Sequence, residues 1–396
     1  MSQFGLNTKT VPKHKILYIT PFPHIGGGET SLIYLLQKLN RKKFEPVVVV
    51  SDRGQVYDRL IKMKVRVEVM KLPPYWLRTL FVPGVSLPGI VRLFKLCNKT
   101  RPSLIHINHP TLAIYSGIVG KVLKIPVVAT AHGSWDCIYF YQDLINQIFI
   151  DKVLAITDEI KFCLGRRRII SGPKIKTIYL GIDTNYFKPA FNKSKAKRKL
   201  GIEPNSTVVS MICRLDFVKN HITFLKIANE VAKDIPNTTF LVVGDTKKNL
   251  EEGNNVASKV KDQLDMYIKS HPRLKKRVLF TNFQTDMKDV YDATDILFSS
   301  SLSETLPMTF LEAASSGLPI VSFAMDSRHR IIIDGKNGYL CQQGRLDIIE
   351  KRLLKLIKNK NLRENFGKYS REYAVSHFAI DRYVKEVESI YASFWK

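Results

Sequence analysis

The chain of 396 residues is short of acid: 35 Asp and Glu stand against 62 Lys and Arg, a net charge of +27. Cysteine is also scarce. The five present (Cys97, Cys137, Cys163, Cys213, Cys341) are scattered, and no CxxC pair occurs. That spacing excludes a zinc finger or ribbon and a dithiol redox motif, and it reads as reduced thiols of a cytoplasmic protein. No apolar run approaches the ~18 residues that a membrane span needs. The opening MSQFGLNTKTVPKHK lacks the apolar stretch of a signal peptide. Neither GxGxxG nor the Lys-Ser/Thr of a P-loop occurs, so neither nucleotide signature assigns a ligand. No RNP1 run or Cys/His finger accompanies the basic excess, and the lysines are spread along the chain rather than gathered into an arm. An anionic lipid surface or a phosphorylated substrate therefore accounts for the charge better than nucleic acid does.

What is present is an ordinary globular composition, 45% hydrophobic and 24% charged, over a length that fits two or three domains. In the first half, strand patterns at 15–20, 45–51, 65–72, 103–108, 126–131, 152–157 and 176–180 alternate with helical ones such as 29–39, 112–123 and 143–150. Val47 to Val50 form a run apolar on both faces, as in a parallel strand covered by helices on each side. The text then changes to GIDTNYFKPAFNKSKAKRKLGI, a connection that ends in a basic helix. A second series follows, with strands at 208–212, 239–244, 278–281, 295–299, 320–323 and 339–341 and helices at 221–233, 256–270 and 288–293. Helical segments at 346–358, 362–375 and 380–394 close the chain. The pattern predicts an α/β fold of two doubly wound units, residues 1–181 and 182–377, with a terminal helix over 378–396. Ligands are expected at the carboxyl ends of strands and between the units.

Residues 295–317, DILFSSSLSETLPMTFLEAASSG, carry the most chemistry. A short strand runs into a serine-rich turn and then a helix that Gly317 stops. Pro307 suits the first helical position, which makes Leu306 the N-cap, and leucine offers no oxygen to the free amides. An uncapped helix start at a strand's carboxyl end is a seat for phosphate. Glu304 and Glu312 suit hydrogen bonds from sugar hydroxyls; the competing reading is a poorly capped surface helix with two solvated glutamates. Arg214 and Lys219 leave the strand at 208–212 together, and a guanidinium with an ammonium suits a pyrophosphate. Gly26, Gly27 and Gly28 form a loop where backbone can approach a ligand, though a flexible connection would read the same. His132 ends the strand VVATA directly before Gly133, a position that favours function over a structural role. Residues 72–96 mix Tyr75, Trp76, Phe81 and Phe94 with bases and prolines, and from about Pro88 an amphipathic helix is possible. The segment suits either an interfacial membrane contact or a lid over an acceptor.

Together these pieces resemble the retaining, nucleotide-sugar-dependent glycosyltransferases of family 4. The resemblance spans Ile16 to Trp395 and is most specific in SETLPMTFLEAASSGLPIV, where Glu304 and Glu312 form an E-x7-E pair. CRLDFVKN, YLGIDTNYFKP, GGGE and AHG match other family segments. The resemblance implies the GT-B architecture, two Rossmann-like lobes facing across a cleft, the first binding acceptor and the second donor. It implies that Arg214 and Lys219 neutralise the donor diphosphate and that Glu312 binds the ribose. Glu304, with amides near Leu306 and Met308, would hold the transferred sugar and its phosphate. His132 would contact the sugar near the reacting carbon, Gly27 would admit the diphosphate, and the base would lie near Phe283 and Gln284. The terminal helix would return to the first lobe. Two positions depart from the family pattern: Thr305 replaces a glycine, and Arg330 replaces a glutamate.

The implied reaction is sugar transfer from a nucleotide-sugar to a lipid-linked or cell-surface glycan, with retention of configuration, by same-face attack. The leaving phosphate would accept the acceptor's proton. No Asp-x-Asp occurs in the sequence, so positive side chains and helix amides are expected to stabilise the leaving group, with no metal and no cofactor. A cytoplasmic enzyme, peripheral on the inner face of an anionic membrane, is the expected setting. A nucleotide-sugar 2-epimerase of similar fold is the rival enzyme, and a basic membrane- or nucleic-acid-binding module is the non-enzymatic one.

Overall fold

The structure, a computed structural model, describes residues 13–72, 85–133, 136, 139–244, 256–281, 286–325 and 328–395. They divide into two compact units, 1–180 with 381–396 and 181–380. Tyr75, Trp76, Phe81, Phe283 and Gln284 lie outside the described residues.

The first unit contains β1 (His14–Thr20), α1 (Gly27–Lys38), β2 (Phe44–Val50), α2 (Gln55–Lys62) and β3 (Arg66–Val69). It continues with α3 (Leu87–Thr100), β4 (Leu104–Ile107), α4 (Ala113–Leu123), β5 (Val127–Ala131), α5 (Phe140–Phe149), β6 (Lys152–Ala155), α6 (Asp158–Gly165) and β7 (Ile175–Thr177). The strands form one parallel sheet in the order β3-β2-β1-β4-β5-β6-β7. β1 and β2 are paired along their whole length, from His14 opposite Phe44 to Thr20 opposite Val50. Their central residues are fully buried, as strands roofed on both faces must be. Sequence order reverses between β1 and β4, so the loops after these two strands diverge and leave a crevice at their carboxyl ends.

The second unit contains α7 (Lys193–Lys199), β8 (Thr207–Ile212), α8 (His221–Asp234), β9 (Thr238–Val243), α9 (Val256–Ser270) and β10 (Val278–Thr281). After these come α10 (Lys288–Ala293), β11 (Ile296–Ser299), α11 (Met308–Ser315), β12 (Ile320–Phe323), β13 (Gly338–Cys341), α12 (Leu346–Lys358), α13 (Lys360–Phe378) and α14 (Ile380–Ala392), whose later residues belong to the first unit. Its parallel sheet runs β10-β9-β8-β11-β12-β13, with the reversal between β8 and β11. The basic helix expected after the connection is α7, and three of its five cations are paired inside this unit. Lys193 and Lys197 hold the two carboxylate oxygens of Asp295 at 2.9 and 2.7 Å, and Lys199 holds Asp289.

The terminal segment packs within the first unit. The Tyr391 hydroxyl hydrogen-bonds His106 Nδ1, Trp395 stacks on His14 with ring centroids 3.9 Å apart, and Arg382 donates to the Tyr179 carbonyl at 2.7 Å. The division falls at Asp381, three residues beyond the expected start of the terminal element, because Ile182 is bridged to Ala379 inside the second unit.

Three local expectations change. The triple glycine is not all loop: Gly27 and Gly28 are the first two residues of α1, with Gly26 as N-cap. Helix α11 begins one residue later than expected, at Met308, because Pro307 is extended (ψ 122°) and is itself the N-cap. The thiols are not all reduced. Cys97, Cys213 and Cys341 are free, while Cys163 is disulfide-bonded. In residues 72–96 the helix is real and caps on Ser86, whose hydroxyl accepts the Gly89 amide at 3.1 Å. Its Gly89, Leu93, Cys97 and Thr100 face is buried in the first unit.

Candidate active site

In the second unit, the loops after β8 and β11 bring together Lys219, Glu304 and the start of α11. Hydrogen bonds and an ion pair join these loops. The Leu302 amide donates to the Val218 carbonyl at 2.8 Å, the Ser300 hydroxyl donates to the Asn220 carbonyl at 2.9 Å, and the Lys219 ammonium pairs with the Glu304 carboxylate. Both charged side chains are largely buried, at 15% and 17% exposure, so their attraction is poorly screened. Arg214, by contrast, is 74% exposed and is tied to Asp216 at 3.0 Å. Asp216 also caps the turn that carries Lys219, accepting the Val218 amide at 3.1 Å. Lys219 is therefore fixed while Arg214 has room to reorient toward a ligand.

No side chain caps α11, and Leu306 and Met308 on either side of Pro307 are buried. The Phe310 amide bonds back to the Pro307 carbonyl at 3.0 Å. The amides before it point out of the helix end, beside Glu304, where the dipole favours an anion. Glu312 lies one turn further in, is buried, and accepts the Tyr291 hydroxyl at 2.6 Å. The two glutamates are thus held differently, Glu304 by a cation at the loop and Glu312 by a phenol inside the helix packing.

Arg328 was not anticipated. Its guanidinium is fully buried beneath the Glu304 turn, donating to the Ser301 carbonyl at 3.1 Å, the Phe323 carbonyl at 3.0 Å and the Ser322 hydroxyl. It also lies 5.8 Å from the Phe310 ring centre in α11. Burial pushes its pKa down to about 10, a shift that Glu304 opposes, so the group remains a cation at neutral pH. No local pattern marks Arg328 in the sequence. It sits in a run of three bases, of which one is internal.

In the first unit, His132 directly follows β5, beside residues of the β1 and β4 loops. Its Nε2 meets the Asn108 side-chain oxygen at 3.2 Å, and its ring centre lies 5.2 Å from that of His109. His109 in turn meets Glu29 of α1 at 3.4 Å, and Thr20 donates to the same Glu29 oxygen at 3.1 Å. Burial, reinforced by His109 and His106, holds the His132 pKa well below its ordinary value, so this imidazole is neutral. Asp136 accepts the His132 and Gly133 amides at 2.9 and 3.2 Å and fixes the turn. Burial pushes the Asp136 carboxyl up to about 6, against the His109 charge and these two amides.

A Cβ on Gly28 would stand 3.3 Å from both His109 Nε2 and His132 Cδ2. At Gly27 a Cβ would meet nothing within 4 Å, which leaves its outer side open to a ligand. Asp136 was legible in principle, since an Asp in the turn after a strand can capture nearby backbone amides. Glu29 and His109, 80 residues apart, were not.

Comparison with known proteins covers both units. The model described as Glycosyltransferase Family 4 matches residues 25–186, and that described as Glycosyl transferases group 1 matches residues 192–373. The chain is 25% identical to the Escherichia coli UDP-Gal:alpha-D-GlcNAc-diphosphoundecaprenol alpha-1,3-galactosyltransferase, over 96% of this chain and 97% of that one. It is 24% identical to the alpha-monoglucosyldiacylglycerol synthase of Acholeplasma laidlawii, over 93% and 94%. Among solved structures, Anabaena HepE in complex with UDP and glucose superposes with a TM-score of 0.81 at 20% identity, covering 96% of this chain and all of that one.

Proposed function

Because the chain belongs to the family 4 glycosyltransferases of GT-B architecture, we propose that it moves a sugar from a nucleotide diphosphate donor to a lipid-linked or glycan acceptor with retention of configuration. The observation that carries the reading is the Lys219–Glu304 pair beside an uncapped helix start, at the strand reversal of the second sheet. A diphosphate entering there meets Lys219, the mobile Arg214 and the amides that open α11. Lys219 and the amides are fixed before the reaction, so they stabilise charge on the leaving group with little reorganisation, and Arg214 turns from Asp216 to join them. Once the phosphate draws on Lys219, the Glu304 carboxylate is released to accept sugar hydroxyls. Glu312 takes the ribose and Phe283 the region of the base. His132, neutral and backed by Asn108, offers the sugar a hydrogen bond without adding a charge that would oppose a developing oxocarbenium ion.

Retention follows by same-face attack, with the leaving phosphate accepting the acceptor's proton; the cationic groups replace a metal. The relatives named above carry undecaprenol diphosphate and diacylglycerol in their names, which supports a lipid-linked acceptor and an enzyme peripheral on a membrane. The test is a thermal-shift screen against UDP-sugars followed by turnover with a polyprenyl-diphosphate sugar, with and without EDTA. A donor at 100 times its dissociation constant stabilises by about 2.7 kcal/mol. Absence of any shift across the nucleotide-sugars would overturn the proposal, and loss of turnover with EDTA would overturn its metal-free form.

A further inference from the structure

Helix α5 is turned inside out. Its buried residues are Gln142, Asp143 and Asn146, while Phe140, Leu144 and Ile148 are 60%, 44% and 51% exposed. These three stand four residues apart and make one stripe about 12 Å long on the solvent side. Helices of globular proteins face the opposite way. The inward polar groups are only partly satisfied: Asp143 holds Arg167 at 2.8 Å, and the Asn146 amide has no partner among the described residues. Gly117 of α4 fixes the orientation, since a Cβ there would run into Phe149 at 2.2 Å, so α5 cannot roll its stripe inward without losing this close contact.

The surroundings of the stripe are basic. From Leu104 to Ile150 the chain has two acids, Asp136 and Asp143, and both are buried. Lys121 and Lys124 are exposed at the end of α4 and line, with Ile148 and Phe149, an open groove of about 340 Å³ beside the stripe. The one carboxylate in that groove, Asp151, accepts the Val127 amide at 2.7 Å. Arg166 and Arg168, also exposed, bracket the arginine that holds Asp143. An apolar stripe with Lys121, Lys124, Arg166 and Arg168 around it and one exposed acid, Asp151, has a net positive border that is complementary to an anionic bilayer and would repel a second copy of the same basic face.

We propose that the Phe140–Leu144–Ile148 face of α5 docks on an anionic lipid bilayer, with Lys121 and Lys124 at the headgroups. The docking rests on the membrane-surface reading above and gives it a place. It also gives α5 two duties, because Gln142 and Asn146 on its inner side line a narrow crevice with Asp136, the residue that fixes the His132 turn. A lipid-linked acceptor would then arrive beside the turn that carries His132.

The full chain and its F140S/L144S/I148S variant are sedimented with vesicles of 30% phosphatidylglycerol in phosphatidylcholine and with pure phosphatidylcholine. The wild type should bind the anionic vesicles, with affinity falling at high salt. The triple variant should lose at least tenfold, and K121S/K124S roughly fivefold for each charge removed. UDP-sugar thermal shifts should be unchanged in both variants, because no donor group is altered. That shift separates the two readings: loss of donor binding in the wild type overturns the proposed function, whereas vesicle binding tests the docking alone. Equal vesicle binding by wild type and triple variant overturns the proposal. So does a wild-type dimer that the triple variant dissociates, which would make a second copy the occupant.

Discussion

Lys219 and Glu304, 85 residues apart in sequence, form an ion pair across the carboxyl ends of β8 and β11, the two neighbouring strands at which the second sheet reverses order. The pair holds the cation proposed for the diphosphate and the carboxylate proposed for the sugar in one largely buried contact. Removing either partner leaves the other charge desolvated and alone.

Lys219→Ala and Glu304→Ala are each expected to lower transfer by about 100-fold or more, as loss of a preorganised charge-stabilising group does. In the double variant the losses should fall short of their sum, with a coupling of about 1–3 kcal/mol. Steady-state transfer rates for the four proteins complete the cycle. Additive losses would show that the pair does not act as a unit.

Arg328→Ala is expected to destabilise the chain by about 3 kcal/mol, since it empties a buried site and strips the Ser301 and Phe323 carbonyls of a donor. Arg328→Lys keeps the charge but not the fork, and should recover less than half of the loss. Urea unfolding measures both. A change below about 0.5 kcal/mol would mean that the guanidinium does not hold the Glu304 turn.

The two glycines of α1 should separate stability from activity. Gly27→Ala has open space to enter and should leave the melting temperature unchanged or slightly raised, because alanine narrows the unfolded ensemble. If the diphosphate passes there, the donor KM should rise about tenfold. Gly28→Ala presses on the His109 and His132 rings and should lower kcat. Unchanged kinetics in Gly27→Ala would remove that residue from the donor site.

Acid should weaken the fold through His106. Burial holds its pKa down to about 3 from the ordinary 6.5, so the unfolded chain takes up a proton that the native state refuses. Stability from this group is therefore intact above pH 6.5 and falls as pH drops toward 3, by about 1.4 kcal/mol per pH unit. Asp136 has the opposite sign. Its carboxyl, raised to about 6, favours the fold below pH 3.8 and loses that contribution as pH rises through 6. Unfolding free energies at pH 7.5 and 5.5 should thus show a mean slope that His106→Phe reduces by about half a proton, or about 1.4 kcal/mol over the two pH units. An unchanged slope in that variant would refute the assignment.

Much of this was legible in the sequence. The alternation of strand and helix, the doubly wound class, and the placing of His132, Arg214, Lys219 and Glu304 near strand ends all follow from local periodicity and turn residues. Burial repeats with the geometry of each element, so a linear pattern reports it well. Helix starts were less certain by one or two residues, because Gly27, Gly28 and Pro307 are each compatible with the end of a helix or with the loop before it.

Tertiary structure alone decided the partners. Crossovers set strand order, and strand order brings Lys219 to Glu304, Glu29 to His109 and the Arg328 guanidinium to Ser301. None of these pairs is encoded by spacing. The same holds for direction: residues 143–150 predict a helix, but a helical pattern does not say which face is inside. Contact with Gly117 and the Arg167–Asp143 pair turn the polar face inward and leave Phe140, Leu144 and Ile148 to the solvent. Sequence settled what each segment becomes, and packing settled what each segment meets.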